Sequence, residues 1–405
     1  MTATNPFRHG NPVPPDQLVG RKRERRCLAS RIVTGQSSAL IGEPRMGKTS
    51  LLDYLRSTEH RDATYGEEGE NLLFSYLDAQ GLDSAMNPAK FWACACVPLE
   101  TRLPHTDKPL QAAYAQCQAN AFDTYAMSKL LQKVSARKWR LILLLDEFDT
   151  LLHHPELNSA GFFGGLRALS TRSRGALGII IAGRRSLMAL NEETQQFSRT
   201  SSPYFNFLSE VTLGPLSARD AATLLNRAGE RFAAEDRRFV LRLGGGHPYL
   251  LQAAASALWD AYAEGLPRSA AWPQAVTRFR EDAKVTLSDT WRLWSPAYRL
   301  AFIAAGIDQI TAQAMGEREF HERRLLGKVR DLGPELRALE KQGFIRRDNA
   351  RGWDIYPQAF LWWLADEIVR LTRNVRDPAE VLRVEQWEGM LTQGEKQYLH
   401  QALRI

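Results

Sequence analysis

The stretch Ile41-Gly-Glu-Pro-Arg-Met-Gly-Lys-Thr49 satisfies Gly-x-x-x-x-Gly-Lys-[Ser/Thr] and lies between a short apolar run, Ser38 to Ile41, and a helical pattern from Ser50 to about Arg56. A loop of this composition cradles phosphates. Gly42 and Gly47 permit the turns that carry Pro44, Arg45 and Met46 around a β-phosphate with backbone N–H groups aimed inward. Lys48 reaches the β- and γ-oxygens, Thr49 offers its hydroxyl to Mg²⁺, and Ser50 opens a helix whose positive dipole end faces the anion. The ligands expected from these residues are ATP or ADP with Mg²⁺.

Further along the chain, Leu141-Ile-Leu-Leu-Leu145 is a continuous apolar run of the kind found in strands covered on both faces. It ends in Asp146-Glu147-Phe148-Asp149, the acidic pair that ATP hydrolysis requires at a strand tip: Asp146 to hold hydrated Mg²⁺, Glu147 to orient or deprotonate the attacking water. Gly178-Ile-Ile-Ile-Ala-Gly183 reads as a neighbouring strand ending in Arg184-Arg185. A cation there can sense a γ-phosphate through charge-assisted hydrogen bonds, with Arg184 the first choice and Arg185 close behind. Asn71 to Asp78 and Glu210 to Leu213 supply two more strands, and residues 86 to 138 are helical, with Phe91, Trp92, Tyr114, Phe122, Leu130 and Leu131 as candidate core. Five strands alternating with helices predict an α/β fold, a parallel five-stranded sheet between helical layers with ligands at the strands' carboxyl ends.

Upstream, residues 1 to 17 carry four prolines and predict an extended arm on a folded body. Val19-Gly20-Arg21 then forms a turn before a helix running to about Val33, placed where it can pass over an adenine. Downstream, Leu243-Gly-Gly-Gly-His-Pro248 separates two helices, with Pro248 in the first helical turn. An apolar helix from Trp291, a basic helix around Phe320 to Val329, a helix from Pro334 to Gln342 and a ribbon at 343–347 and 353–356 together predict a winged helix. Two short helices are expected within 378–405, with Trp387 in the first part of that tail.

A chain of 405 residues exceeds one ordinary core, so two or three domains are expected from its length. No apolar run approaches eighteen residues and the polar N-terminus lacks a secretory core, which predicts a cytoplasmic protein without a membrane partner. Cys27, Cys94, Cys96 and Cys117 have neither Cys-x-x-Cys nor zinc-finger spacing and read as buried free thiols. A net charge of +7 accommodates a polyanion partner without requiring one.

Taken as an ordered set, Asn5-Pro6-Phe7, Val19-Gly20-Arg21-x-x-Glu24, Gly42 to Leu52, Leu143 to Asp149, Gly183-Arg184 and Gly246-His-Pro248 resemble the bacterial STAND ATPases, signal-transducing relatives of the AAA+ and origin-recognition ATPases. The resemblance implies a P-loop ATPase core over 18–216 after an arm at 1–17, a helical lid over 217–288, a winged helix over 289–372 and a helical tail over 373–405. It implies that Val19 and Arg21, across Gly20, flank the adenine and ribose, that Arg184 is the first sensor, and that Pro248, with His247, contacts base or phosphate. The implied function is a slow ATPase switch in signalling or antiviral defence that assembles into a homo-oligomer or recruits an effector. Such proteins append a sensor or effector, so the resemblance also implies a partner supplied in trans, or a fragment. The alternative is a DNA-handling AAA+ ATPase. The helix from Pro334 to Gln342 carries Arg337 and Lys341 but also Glu335 and Glu340, a mixture unsuited to a major groove. Flanking Arg323, Arg324, Lys328, Arg346, Arg347 and Arg351 keep duplex DNA as the less favoured partner. A binding module with an inactive nucleotide site is disfavoured by the presence of Glu147.

Overall fold

The computed structural model describes residues 4–104, 106–195, 203–314, 332–348 and 352–364. The chain divides into two compact units. The first comprises residues 12–43 and 47–213; the second comprises residues 1–11, 44–46 and 214–405.

The first unit is built on β1 (Ser38–Ile41), β2 (Leu72–Asp78), β3 (Arg140–Asp146), β4 (Leu177–Gly183) and β5 (Ser209–Thr212). They form one sheet in the order β2-β3-β4-β1-β5, and all four pairings are parallel. The sheet agrees with the five strands expected, with ends shifted by a residue or so; Asn71 closes a 3-10 turn before β2, and β5 begins at Ser209. Every residue of β4 is buried, as are residues 141–146 of β3, because helices cover both faces.

Helices α1 (Lys22–Val33), α2 (Lys48–Arg56) and α3 (Arg61–Tyr65) flank β1 and precede β2. The helical stretch between β2 and β3 resolves into α4 (Pro88–Ala95), α5 (Val97–Arg102), α6 (Lys108–Ala119) and α7 (Thr124–Ala136). Three starts are fixed by side chains: Asn87, Asp107 and Asp123 each accept a backbone N–H from the first turn. Phe91, Trp92, Tyr114, Phe122, Leu130 and Leu131 are all buried in the core with the inward residues of β3 and β4. Cys96 and Cys117 are buried, and burial pushes their thiols up to about 12 and about 11. Cys94, expected to be buried, is exposed, because it lies on the outer face of α4. After β3 come α8 (Ala160–Arg172) and, beyond β4, α9 (Leu187–Thr194).

The second unit contains α10 (Ala218–Leu225), α11 (Ala234–Gly244), α12 (Pro248–Ala263), α13 (Arg268–Leu293), α14 (Pro296–Ala314) and α15 (Gly333–Gln342), with the antiparallel ribbon β6 (Ile345–Asp348) and β7 (Gly352–Ile355). Ser217 caps α10 as its sequence predicts. Helix α12 is buried on nearly every side. The N-terminal arm supplies part of its cover: Asn5 donates to Ser256 Oγ at 2.9 Å and Asp260 Oδ1 at 2.8 Å, and the Phe7 ring stacks on Phe232 at 5.7 Å. At the foot of this unit, Asp236 is 1% exposed. It accepts hydrogen bonds from the Tyr262 hydroxyl, the Trp272 indole and the Ala233 N–H, and pairs with Arg268 at 3.3 Å. Burial alone would raise its pKa, but those three donors and the Arg268 charge together hold the carboxyl below its usual value.

The boundary expected at 288/289 falls inside α13, which continues to Leu293. Beyond it, Trp294 stacks on Phe360 at 5.4 Å and meets Phe302 and Phe344, and Trp363 donates to Ser288 Oγ at 3.3 Å. Tyr356 donates to the Leu241 carbonyl at 3.2 Å, and Gly245 is packed so tightly against Tyr356 and Pro357 that a Cβ there would lie 2.9 Å from the tyrosine ring. The ribbon and its aromatic residues are thus joined to α11 and α13. The partly exposed Trp353 and Trp362 lie under the guanidinium groups of Arg347 and Arg280. The basic helix expected around Phe320 to Val329, with Arg323, Arg324 and Lys328, lies outside the described residues, as do Arg351, Trp387 and the tail helices.

Candidate active site

The parallel register brings the carboxyl ends of β1, β3 and β4 side by side, with Ile41 opposite Gly183 and Leu145 opposite Ile181. The residues that follow each strand therefore converge on one edge. From β1 the chain enters the glycine loop. Gly47 has φ +89°, the left-handed region that glycine occupies without cost, and it caps α2. Gly42 is required for a different reason: a Cβ there would lie 2.9 Å from the Leu213 carbonyl oxygen.

Lys48 is 5% exposed. Its ammonium donates to the Gly42 carbonyl at 2.9 Å and the Glu43 carbonyl at 3.2 Å, so the cation is folded into the loop. Burial pushes its pKa down; the Glu147 charge opposes this, Arg184 adds to it, and Asp146 and Asp149 oppose it. Thr49, the next residue, donates its hydroxyl to Asp146 Oδ2 at 2.7 Å. Ser50 Oγ accepts the Val13 N–H at 3.0 Å, tying the segment before α1 to α2.

Asp146 ends β3 and is 2% exposed. Besides Thr49 it accepts the Tyr76 hydroxyl at 3.1 Å, and its Oδ1 accepts the Glu147 N–H at 3.0 Å. Glu147 turns out of the strand with φ 47°, a left-handed conformation unusual for a residue with a Cβ. Tyr76 was not marked by the sequence. It alternates along β2 opposite Leu144, and only the β2–β3 pairing carries its hydroxyl to Asp146.

Asp149 also has a part that its sequence position did not reveal. Its Oδ2 accepts the Arg184 N–H at 2.6 Å and its Oδ1 the Arg185 N–H at 3.4 Å, so it pins the tip of β4 to the segment after β3. Gly183 is needed for this, since a Cβ there would lie 2.8 Å from Asp149 Oδ2. The two arginines then differ: Arg185 is paired with Glu193, whereas Arg184 is exposed and its charge is felt at Lys48.

Among the remaining expected residues, Val19 and Gly20 are half-buried, and Gly20 and Arg21 have φ 71° and 59°. Arg21 is 6% exposed and N-caps α1. Met46 is buried, Pro44 half-buried, and Arg45 exposed with φ 60°. His247 and Pro248 belong to the second unit, where His247 is buried and accepts the Leu250 N–H at 3.4 Å as the N-cap of α12, with Pro248 its first residue.

The arrangement fits a nucleotide phosphate with Mg²⁺. A buried ammonium lies inside a glycine turn, and a hydroxyl and carboxylate already in contact face the same edge. Among the described residues no group of three or more His, Cys, Asp and Glu side chains is placed to hold a metal ion by itself. A family model described as an AAA-like domain matches residues 17–265, more than half of the chain, and includes the loop, Asp146, Glu147 and Arg184. The chain belongs to the AAA-like family.

This AAA-like chain is similar to several solved structures. The Aeropyrum pernix ORC2 protein, solved as ADPNP–ADP complexes, is 16% identical with a TM-score of 0.50 over 90% of this chain and 97% of that one. The Walker-type ATPase of Pyrococcus abyssi is 17% identical, TM-score 0.49, over 87% and 97%. A STAND protein with a tetratricopeptide repeat sensor from Pyrococcus horikoshii is 13% identical, TM-score 0.37, over 92% of this chain and 48% of that one. No curated protein matches the sequence significantly. The AAA-like chain thus has the α/β P-loop fold of the AAA+ ATPases, with a five-stranded parallel sheet. Among its described residues no helix is long and apolar enough to cross a membrane.

Proposed function

We propose that this protein is a slow, Mg²⁺-dependent ATPase of the STAND type, a switch whose output is self-assembly or recruitment of an effector protein. The observation that carries the reading is the contact of Thr49 with Asp146 beside the buried ammonium of Lys48, with Glu147 next in the chain. Bound Mg²⁺ would neutralise charge developing on the phosphates. Lys48 holds the β- and γ-oxygens, Thr49 and Asp146 hold the ion, and Glu147 orients the attacking water and receives its proton. Arg184, unlike the ion-paired Arg185, has a charge available to report on the γ-phosphate. Val19, Gly20 and Arg21 contact the adenine and ribose, and the backbone of Pro44, Arg45, Met46 and Gly47 with the N-terminus of α2 at Ser50 surrounds the phosphates.

The switch reading is supported by the way ring contacts and a tyrosine hydrogen bond join α11, α13 and α14 to the residues flanking the ribbon, which favours a winged helix serving as an internal clamp. One observation favours the DNA-handling alternative: Arg337, Lys341 and Arg346 are exposed on α15 and β6. Against it, Glu340 on the same helix pairs with Arg347 at 3.6 Å and removes one cation from a phosphate-binding face.

The experiment is to compare nucleotide binding and turnover in Lys48→Ala and Glu147→Gln. Lys48→Ala should weaken ATP binding by about a hundredfold, the value of a charge-assisted contact of about 2.7 kcal/mol. Glu147→Gln should bind ATP as the native protein does and hydrolyse it at least ~100 times more slowly. Native-like ATP affinity in Lys48→Ala would exclude the loop as the site, and native turnover in Glu147→Gln would remove that residue from the chemistry.

A further inference from the structure

Between α1, α2 and α3 the first unit has a cleft of about 600 Å³ that the proposed reaction does not use. Its volume is that of a small-molecule site. Lys22, Arg26 and Ser30 line one wall at four-residue spacing along α1, with Arg25 beside them; Tyr54 of α2 and Thr64 of α3 lie across the cleft. Val19, Gly20, Arg21 and the loop residues are not among its lining.

Two properties of the wall point to an anion. Lys22, Arg25 and Arg26 stand three and four residues apart on one helix, a spacing at which like charges repel. Among the described residues no carboxylate pairs with any of the three. Arg25 is moreover held in place: its guanidinium lies 3.6 Å from the centre of the Tyr54 ring and donates to the Tyr54 hydroxyl. An arginine fixed in this way loses little freedom on binding, which is what planar, forked recognition of an oxyanion requires.

The rest of the lining narrows the anion. Ser30 stands on the cationic wall, Thr64 lines the cleft opposite with its hydroxyl 3.3 Å from that of Tyr54, and hydroxyls with Lys and Arg are the donor set that contacts phosphate oxygens. No ring face is open for a nucleobase. Tyr54 is 5% exposed and lies under Arg25; Tyr65 is 7% exposed with its hydroxyl bonded to the Leu55 carbonyl. Single-strand readers rely on stacked bases for much of their affinity. We propose that this cleft binds a compact cluster of phosphate groups, such as a free polyphosphate chain, at a site separate from the nucleotide loop.

The test uses the full chain carrying Lys48→Ala, which disables the first phosphate site, titrated calorimetrically with tripolyphosphate at low salt and at about 0.15 M, where exposed charges farther apart than about 8 Å are screened. Saturable binding at one site per chain is expected. Adding Lys22→Ala or Arg26→Ala should weaken it roughly tenfold each, the equivalent of about 1.4 kcal/mol. Adding Arg23→Ala, an exposed neighbour outside the cleft, should change it by less than about twofold. Lys22, Arg23 and Arg26 are all exposed, so melting temperatures should match and report retained folding. Absence of saturable binding, an equal loss in the Arg23 variant, or equally tight binding of tetraglutamate would each overturn the proposal. A short oligothymidylate separates the sources of phosphate: weaker binding than tripolyphosphate supports a free polyphosphate, and tighter binding with the same dependence on Arg26 overturns it in favour of a nucleic-acid strand.

Discussion

Asp146 in the first unit and Asp236 in the second are equally hidden, at 2% and 1% exposure, yet their surroundings differ in kind. Asp236 is saturated. A phenol, an indole, a backbone N–H and a guanidinium meet it from α11, α12 and α13, so its charge is neutralised by the protein and serves to join three helices. Asp146 has two hydroxyls and the N–H of its neighbour, and among the described residues no ion pair. Hydroxyls can be shared with a cation, whereas a guanidinium competes with one. A buried carboxylate met by neutral donors at a strand tip keeps its charge available to a cation, whereas one met by arginine is already neutralised.

That contrast makes opposite predictions for the two residues. The larger effect is expected at Asp146. Asp146→Asn should lower Mg²⁺-dependent turnover about a thousandfold, roughly 4 kcal/mol of barrier, with little change in denaturant midpoint. A large loss of stability with turnover retained would show that Asp146 is structural and would erase the distinction.

At Asp236 the effect should fall on stability. Asp236→Ala leaves the Tyr262, Trp272 and Ala233 donors unpaired, so unfolding should be easier by roughly 3 kcal/mol, while turnover per folded molecule is kept. The pH dependence sharpens this. The folded-state pKa is depressed, so the contribution is complete above the unfolded carboxylate value near ~3.9 and is lost as pH falls below it toward the folded value. The stability gap between native and Asp236→Ala, measured by urea titration, should therefore be constant above about pH 5 and shrink below about pH 4. A gap that widens on acidification would contradict the charge-based role.

The two units were also unequally legible in the sequence. In the first, chemistry lies at the ends of local patterns: a glycine turn after a strand, an acidic pair after Leu141 to Leu145, and Arg184-Arg185 after a third apolar run. Strand tips converge in a parallel sheet, so adjacency followed from topology. Tyr76 and Asp149 were not legible in those roles because these depend on which strands are neighbours: β2 beside β3 for Tyr76, and β3 beside β4 for Asp149. In the helical stretch between β2 and β3 the breaks had visible signals in Pro98, Pro104 and the capping aspartates, but their positions depended on packing. The second unit was read less sharply. A buried face that continues to Thr290 carries α13 past the boundary expected at 288, and the aromatic residues there serve contacts between helices that no local pattern specifies.

The central claim is that nucleotide state changes what the molecule assembles into. Reversing a two-state balance from 99:1 to 1:99 requires roughly 5.5 kcal/mol of differential binding, and smaller shifts need less. The direct measurement is particle size by light scattering on the full chain with Mg²⁺, in ADP and in a slowly hydrolysed ATP analogue, with duplex DNA affinity determined in parallel at two salt concentrations. The account predicts a change in particle size with the analogue, abolished by Lys48→Ala, and only weak, strongly salt-dependent DNA binding. An unchanged particle size in both nucleotides together with nanomolar, duplex-specific binding at physiological salt would contradict it.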